Sequence, residues 1–312
     1  VSISVKPSIL GVHIPQGVPG AGPHLHWRIY VTATQTNVNA VGIADLQLYN
    51  AAGTLLSTGG IATVSSFFQS DPTYNADKAF DGSVTTFWNS NIPPSTTPQW
   101  IAYQMPAPGE VAVIRLTPRG GSSFITTQSP SQFKLQYSDD GSAWFDAQSY
   151  VTSWSNEVFA HSFSVGTPAA GAYCNWRIVV LANQSGTAPS GAEVQLRETP
   201  GGPDLSSPLA WHGMSSDAFG GGFTGEKAFD NSLSTIWAAA NPPPNNWLMN
   251  CLSRTVAIVE ITWQARNDGF YTQSPTSFKM QGSNDGMNWT DAWNGTFATW
   301  TAAAQIQTAT KP

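Results

Sequence analysis

Two near-copies, DKAFDGSVTTFW at 77–88 and EKAFDNSLSTIW at 226–237, place an acid, a turn residue and a hydroxyl in one fixed order. The chain must turn sharply after the aspartate, where Gly82 suits a positive φ and Asn231 fills the matching place. Such a loop has two readings. It is a metal-free turn closed by its own side chain, or it gathers carbonyls, a carboxylate and a hydroxyl as hard oxygen ligands for a cation such as Ca2+. A second pair of loops carries forked and planar donors. TPRGGSSFITTQSP offers Arg119, Phe124 and Gln128, and QARNDGFYTQSP offers Arg266, Asn267, Tyr271 and Gln273. A guanidinium beside an amide can meet the paired hydroxyls of a sugar while an aromatic ring covers its apolar face. The plainer alternative pairs each arginine with a surface carboxylate. Phe68, Tyr74, Phe219, Phe223, Asn89, Asn241 and the loop NQSGTAPSG at 183–191 are further rim candidates.

Catalytic patterns are missing from the sequence. There is no G-x-S-x-G elbow, Walker loop or dinucleotide fingerprint, and His13, His24, His26, His161 and His212 form no HExxH pair. His24-Leu-His26 would clip a metal only with a third ligand. A repeated unit with few acids reads as a binder, not an enzyme. The 13 Lys and Arg against 19 Asp and Glu give a net charge of -6, the wrong sign for neutralising phosphates, so nucleic acid is discounted. No run approaches the roughly 18 apolar residues of a membrane span, and the N-terminal layout is not that of a signal peptide. A soluble chain without membrane insertion is expected. Cys174 and Cys251 lack metal-ligand spacing and read as two buried free thiols, with one bridge as the alternative.

The elements that must hold these loops repeat in order. WRIYVTAT (27–34) meets WRIVVLAN (176–183), ADLQLYNAAG (44–53) meets AEVQLRETPG (192–201), and QWIAYQM (99–105) meets NWLMNCL (246–252). VAVIRLT at 111 pairs with VAIVEIT at 256, and TQSPSQFKLQYSDDGSAW (127–144) with TQSPTSFKMQGSNDGMNW (272–289). The blocks are short alternating runs of Val, Ile, Phe, Tyr and Trp, punctuated by Gly, Pro, Asn, Asp and Ser. They predict an all-β chain of two tandem sandwiches or barrels, at 24–171 and 172–312, behind a Pro/Gly-rich arm at 1–23. Trp27, Trp88, Trp100, Trp144, Trp176, Trp237, Trp247 and Trp289 sit inside these blocks and are expected in the core.

The ordered blocks KAFDGSVTTFW, PQWIAYQM, FKLQYSDDGSAW and WRIYV…ADLQLY, each with a partner in the second copy, resemble the discoidin or coagulation-factor type C family. That resemblance implies two jelly-roll β-sandwiches of the galactose-binding-like kind, with the RI…E-L hairpin opening each unit instead of closing it. It also implies a structural Ca2+ held by Asp81, Ser83 and Thr86 with Asp45, and by Asp230, Ser232 and Thr235 with Glu193. Related carbohydrate-binding modules carry a ligand arginine where Arg119 and Arg266 stand, followed by an amide. The phrases RETPGG, YTQSP and S-DG-W are similar to repeats of phage tail, fibre and other virion proteins. They imply a non-catalytic adhesion protein of the virion, contacting host-surface polysaccharide and other virion subunits, as a homo-oligomer or within a larger assembly. A structural virion protein and an accessory module of a secreted glycan-active system are the alternatives.

Overall fold

A computed structural model describes residues 22–37, 39–155 and 158–312, so the predicted arm lies outside the described residues apart from its last two. The first sandwich runs through β1 (His24–Thr34), β2 (Gly42–Tyr49), β3 (Ile61–Val64), β4 (Trp88–Asn89), β5 (Gln99–Gly109) and β6 (Val113–Pro118). It continues through helix α1 (Ser122–Gln128), β7 (Pro130–Ser138), β8 (Phe145–Val151) and β9 (His161–Ser164). One sheet has the order β3-β5-β1-β7-β8 and the other β4-β2-β6-β9.

The second sandwich repeats this with β10 (Tyr173–Asn183), β11 (Ser190–Gly191), β12 (Glu193–Arg197), β13 (Gly213–Ser215) and β14 (Trp237–Ala238). Then follow β15 (Asn246–Val256), β16 (Glu260–Gln264), β17 (Pro275–Ser283), β18 (Thr290–Thr296) and β19 (Ile306–Thr310). Its large sheet is β13-β15-β10-β17-β18, and β11-β14 with β12-β16-β19 make the opposing layer. The opening strand of each unit, β1 or β10, lies between two strands that follow it, antiparallel to both.

Alternation decides what each strand buries. On β1, Trp27, Ile29 and Val31 enter the core while Arg28 and Tyr30 face out. The same parity corrects the reading of the tryptophans. Trp27, Trp88, Trp176 and Trp237 are no more than 1% exposed, but Trp100, Trp144, Trp247 and Trp289 are only half-buried. Trp100 precedes the inward Ile101, so a period of two turns its indole outward, onto the face where Arg28 lies 4.1 Å from the Trp144 ring centroid and 5.7 Å from that of Trp100. Arg177, Trp247 and Trp289 repeat the arrangement. Pairing also moves one repeat by two residues. Leu46 faces Leu116 and Val194 faces Trp263, so the counterpart of Arg115 is Thr262, not Glu260.

Each sandwich has its own core, and they meet at a buried polar joint. Arg115, 3% exposed, reaches from the outer face of β6 into the second unit. It donates to the Cys251 carbonyl (3.0 Å), the Tyr49 hydroxyl (3.0 Å), Gln47 Oε1 (3.4 Å), Ser162 Oγ (3.4 Å) and His212 Nδ1 (3.2 Å). Burial, then the Arg115 charge, hold His212 well below its ordinary pKa, so the neutral ring can accept. Ser162 adds bonds to Leu252 O and Asn175. Cys174 and Cys251 lie at this joint as buried free thiols, both pushed up by burial. His24 bonds Asp139 at 2.9 Å and stacks on Tyr137, while His26 lies edge-on to Trp144; a register shift separates the two histidines.

Arg115→Ala would take from the buried Tyr49 hydroxyl and the Cys251 carbonyl the guanidinium that donates to them, leaving His212 Nδ1 with Ser207 alone, at a cost on the order of 3 kcal/mol. Calorimetry should then resolve the unfolding of the two sandwiches into separate transitions, with the melting temperature lowered. A variant that melts as the parent does would show that the joint does not couple them.

Candidate functional site at the loop ends of the sandwiches

The β2–β6 ladder carries a bulge between Ile43 and Asp45, which turns the Asp45 carboxylate toward the 81–86 loop. In the second unit the strand is interrupted at Ala192 and Glu193 takes that place. Asp45 is 1% exposed and Glu193 6% exposed, and none of their four carboxylate oxygens has a hydrogen-bond partner of ordinary geometry. Burial drives the Asp45 pKa up to about 7; Arg115 opposes this, Asp81 adds to it, and the Leu46 amide lowers it slightly. Burial likewise drives Glu193 up to about 8, with Asp230 as the next cause, against nearby amides of Val194 and Asn231. Each copy therefore sets a buried carboxylate with no partner beside the aspartate of the repeated phrase.

The phrase itself closes as a turn. Asp81 accepts from Ser83 N–H (3.0 Å) and from the Thr86 hydroxyl (2.7 Å), with Gly82 at φ 71°. Asp230 accepts from Ser232 N–H (3.0 Å) and Thr235 (2.8 Å), with Asn231 at φ 57°. The eight oxygen-bearing residues named from the sequence thus gather in two groups of four. Among the described residues no three His, Cys, Asp or Glu side chains surround one point, so a cation here would draw its other ligands from hydroxyls and carbonyls. The orphaned carboxylates give the donor set the hard, anionic character that Ca2+ requires.

Arg119 and Arg266 stand just past the ends of β6 and β16, at the same end as these loops. Arg119 Nη1 donates to Gln128 Oε1 (2.8 Å) and Asn89 Oδ1 (3.3 Å). Its guanidinium lies between two rings, 3.8 Å from the Phe124 centroid and 4.1 Å from that of Phe87. Phe68, Tyr74 and Phe87 continue the aromatic wall. Gly42 makes room for it, since a Cβ there would stand 3.0 Å from the Arg119 Cβ and 3.1 Å from Gln128 Oε1. Arg119, Phe124 and Gln128 are brought together; Phe87 was not expected from the loop alone. Its signal is parity, because Trp88 points inward and its neighbour must point out.

In the second unit Arg266 makes a two-point pair with Asp268, Nε to Oδ1 at 3.1 Å and Nη2 to Oδ2 at 2.6 Å, and reaches Gln273 Oε1 at 3.3 Å. Burial raises the Asp268 pKa, but the bonds from Arg266 and from the Phe270 N–H outweigh it, leaving the carboxyl below the usual range. The ring over Arg266 is Phe270, at 5.0 Å, whereas Tyr271 packs against the core; the adjacent aromatics exchange roles because the 271–273 turn takes Tyr271 inward. Asn267 donates to the Leu233 carbonyl at 3.2 Å. Phe219, Phe223, Phe270, Ala238, Arg266 and Gln273 line a mainly apolar cavity of about 300 Å³.

The chain matches the family model of the F5/8 type C domain over residues 61–191 and 213–311. No curated protein and no solved structure matches it. The first matched segment begins at β3 and ends within β11, so the family's strand order is offset from the sandwiches by the opening hairpin. Domains of this family are generally non-catalytic binding modules, often for carbohydrate. With both matched segments and two galactose-binding-like sandwiches in hand, the chain belongs to the F5/8 type C (discoidin) domain family.

Proposed function

We propose that the chain is a non-catalytic glycan-binding protein, a virion component of fibre, tail or decoration type that attaches a phage to host-surface polysaccharide. The observation that carries the binding part is the loop-end cavity of about 300 Å³, where Arg266, Gln273 and exposed Phe270 and Phe219 converge. The Gln273 amide N–H groups and the guanidinium hydrogens not taken by Asp268, set beside bare rings, suit the mixed face of a sugar. The virion part is supported by the repeated phrases named above. Bound Ca2+ is proposed at Asp45, Asp81, Ser83 and Thr86, and at Glu193, Asp230, Ser232 and Thr235. It would neutralise the buried carboxylates and stiffen the corners that carry the binding loops.

On a glycan array and by calorimetric titration, binding in the mM to μM range is expected. Phe270→Ala and Arg266→Lys should each weaken the second site at least about tenfold while the melting temperature stays within a few degrees. Silence of the folded parent across the array would overturn the glycan reading.

The buried carboxylates also set a pH dependence. Their folded pKa values lie above the unfolded ones, so without calcium the stability they allow is full below about pH 4. It falls as pH rises through about 7 for Asp45 and about 8 for Glu193. The slope is at most about 1.4 kcal/mol per pH unit per group. Calcium should therefore raise the melting temperature more at pH 8 than at pH 5, and Asp45→Asn with Glu193→Gln should flatten the metal-free profile and remove the calcium effect. Equal melting with calcium and with chelator at both pH values would leave the loops as turns alone.

A further inference from the structure

Two arginines that hold one position in two copies of a fold are left with different charge balances. The Nε and Nη2 of Arg266 are both taken by the Asp268 carboxylate, so that edge of the fork is closed and the local charge cancels. Arg119 has no carboxylate within ion-pair reach among the described residues. Its polar contacts are the amide oxygens of Gln128 and Asn89, both on Nη1; its Nε is buried without a partner, and Nη2 makes no hydrogen bond to the described residues. Phe87 and Phe124 cover the two faces of the group without neutralising it. They withdraw water from a full positive charge, which strengthens any ion pair formed there.

The loops explain the difference. QARNDGF places Asp268 two residues after its arginine, where PRGGSSF has Gly121 two residues after its own. The first unit spends the same stretch on the turn into α1, which delivers Phe124 and Gln128 to the guanidinium. Burial lowers the Arg119 pKa, opposed by the ionisable but ordinarily neutral Tyr74 phenol, and no carboxylate among the described residues pairs with the guanidinium.

Resting on the glycan-binding reading, we infer that the loop end of the first sandwich takes an acidic saccharide, its carboxylate on the open Nη2 of Arg119, and that of the second takes an uncharged one. A planar carboxylate supplies the acceptor that the guanidinium lacks, and the phenyl rings at its side accept the apolar face of the same sugar residue. In the second site an incoming carboxylate would meet Asp268 already in place and be repelled, so hydroxyls are the better match.

The test uses the full chain on an array in which each uronate or sialate glycan is paired with its carboxyl-reduced form, followed by titration with the best pair. Acidic members should bind at least about tenfold better than their reduced partners, and that advantage should shrink as salt rises to about 0.5 M. Arg119→Gln should abolish the advantage. Asp268→Asn, which leaves the first site untouched, should create a second acid-preferring site and double the stoichiometry for the acidic glycan. Neutral glycans bound with no gain from the carboxylate, or an acidic preference that survives Arg119→Gln in a folded variant, would overturn this inference and leave the glycan reading standing. No binding to any glycan would overturn both. Binding to phosphatidylserine vesicles but not to acidic glycans would assign the open guanidinium to lipid instead and also overturn it.

Discussion

The register of β2 against β6, with one bulge, is the constraint on which the loop end of each unit depends. Ile43 opposite Pro118 and Asp45 opposite Thr117 bracket the extra residue, and that residue turns Asp45 toward the 81–86 loop. The same pairing ends β6 at Pro118, leaving Arg119 against Gly42 at the first position free of the ladder. A slip of one residue would exchange faces along the whole strand, burying Gln47 and exposing Leu46 and Leu48. Two unrelated chemistries, a carboxylate pair and a cation between rings, are therefore positioned by one set of backbone bonds. The second unit keeps this with a broken strand, since Glu193 opposite Gln264 and Arg266 two residues further reproduce the spacing.

Among the described residues the loop ends hold buried carboxylates without hydrogen-bond partners, whereas the buried cation of the joint is bonded at all three guanidinium nitrogens, though Nε2 of His212 beside it has no partner. Arg115 is as buried as any core residue, yet its contacts are carbonyl, hydroxyl, amide and imidazole acceptors. At the loop ends Asp45, Glu193 and Arg119 are deficient. Burying a polar group without partners costs on the order of 1–3 kcal/mol, more for a charge, so a fold tolerates it where a bound species can supply the missing contact. This contrast separates positions that hold the molecule together from those prepared for something else.

Much of the architecture was legible because the repeat prints most strands twice, while β3, β8 and β9 and their counterparts β13, β18 and β19 lie outside the matched blocks. The blocks fixed strands, order and the placing of Arg119, Gln128, Arg266 and Gln273 at one end, since each flanks a matched run. Three things escaped. Repetition alone cannot tell the two faces of a strand apart: parity counted from Ile101 and Leu248 turns Trp100 and Trp247 outward, whereas Trp144 and Trp289 lie in the turns before β8 and β18, where no strand parity applies. Arg115 was hidden in an apolar run whose counterpart is Thr262, so comparing copies could not show a contact made once, between unlike surfaces. Trp154 and Trp300 lie outside the matched blocks, yet Gln35 and Gln184 clasp their backbones with paired amide bonds in both units. Sequence spacing does not report that kind of long-range closure.

The joint also bears on how two loop ends act together. Relative motion of tandem domains is the default where their interface is small and polar. Here the two guanidinium bonds that cross the joint, to Cys251 and His212, two carbonyl bonds from Ser162 and Asn175 and the backbone pairs Ser164–Asn284 and Ala160–Trp211 hold one orientation. The two sites are then presented at a set separation. Weak sites in that arrangement gain through effective concentration only when a ligand's own repeat matches their spacing, and gain nothing from a mismatched one. Fixing the orientation trades breadth of ligand for selectivity by spacing, and the Asp268 difference adds selectivity by charge on the same frame.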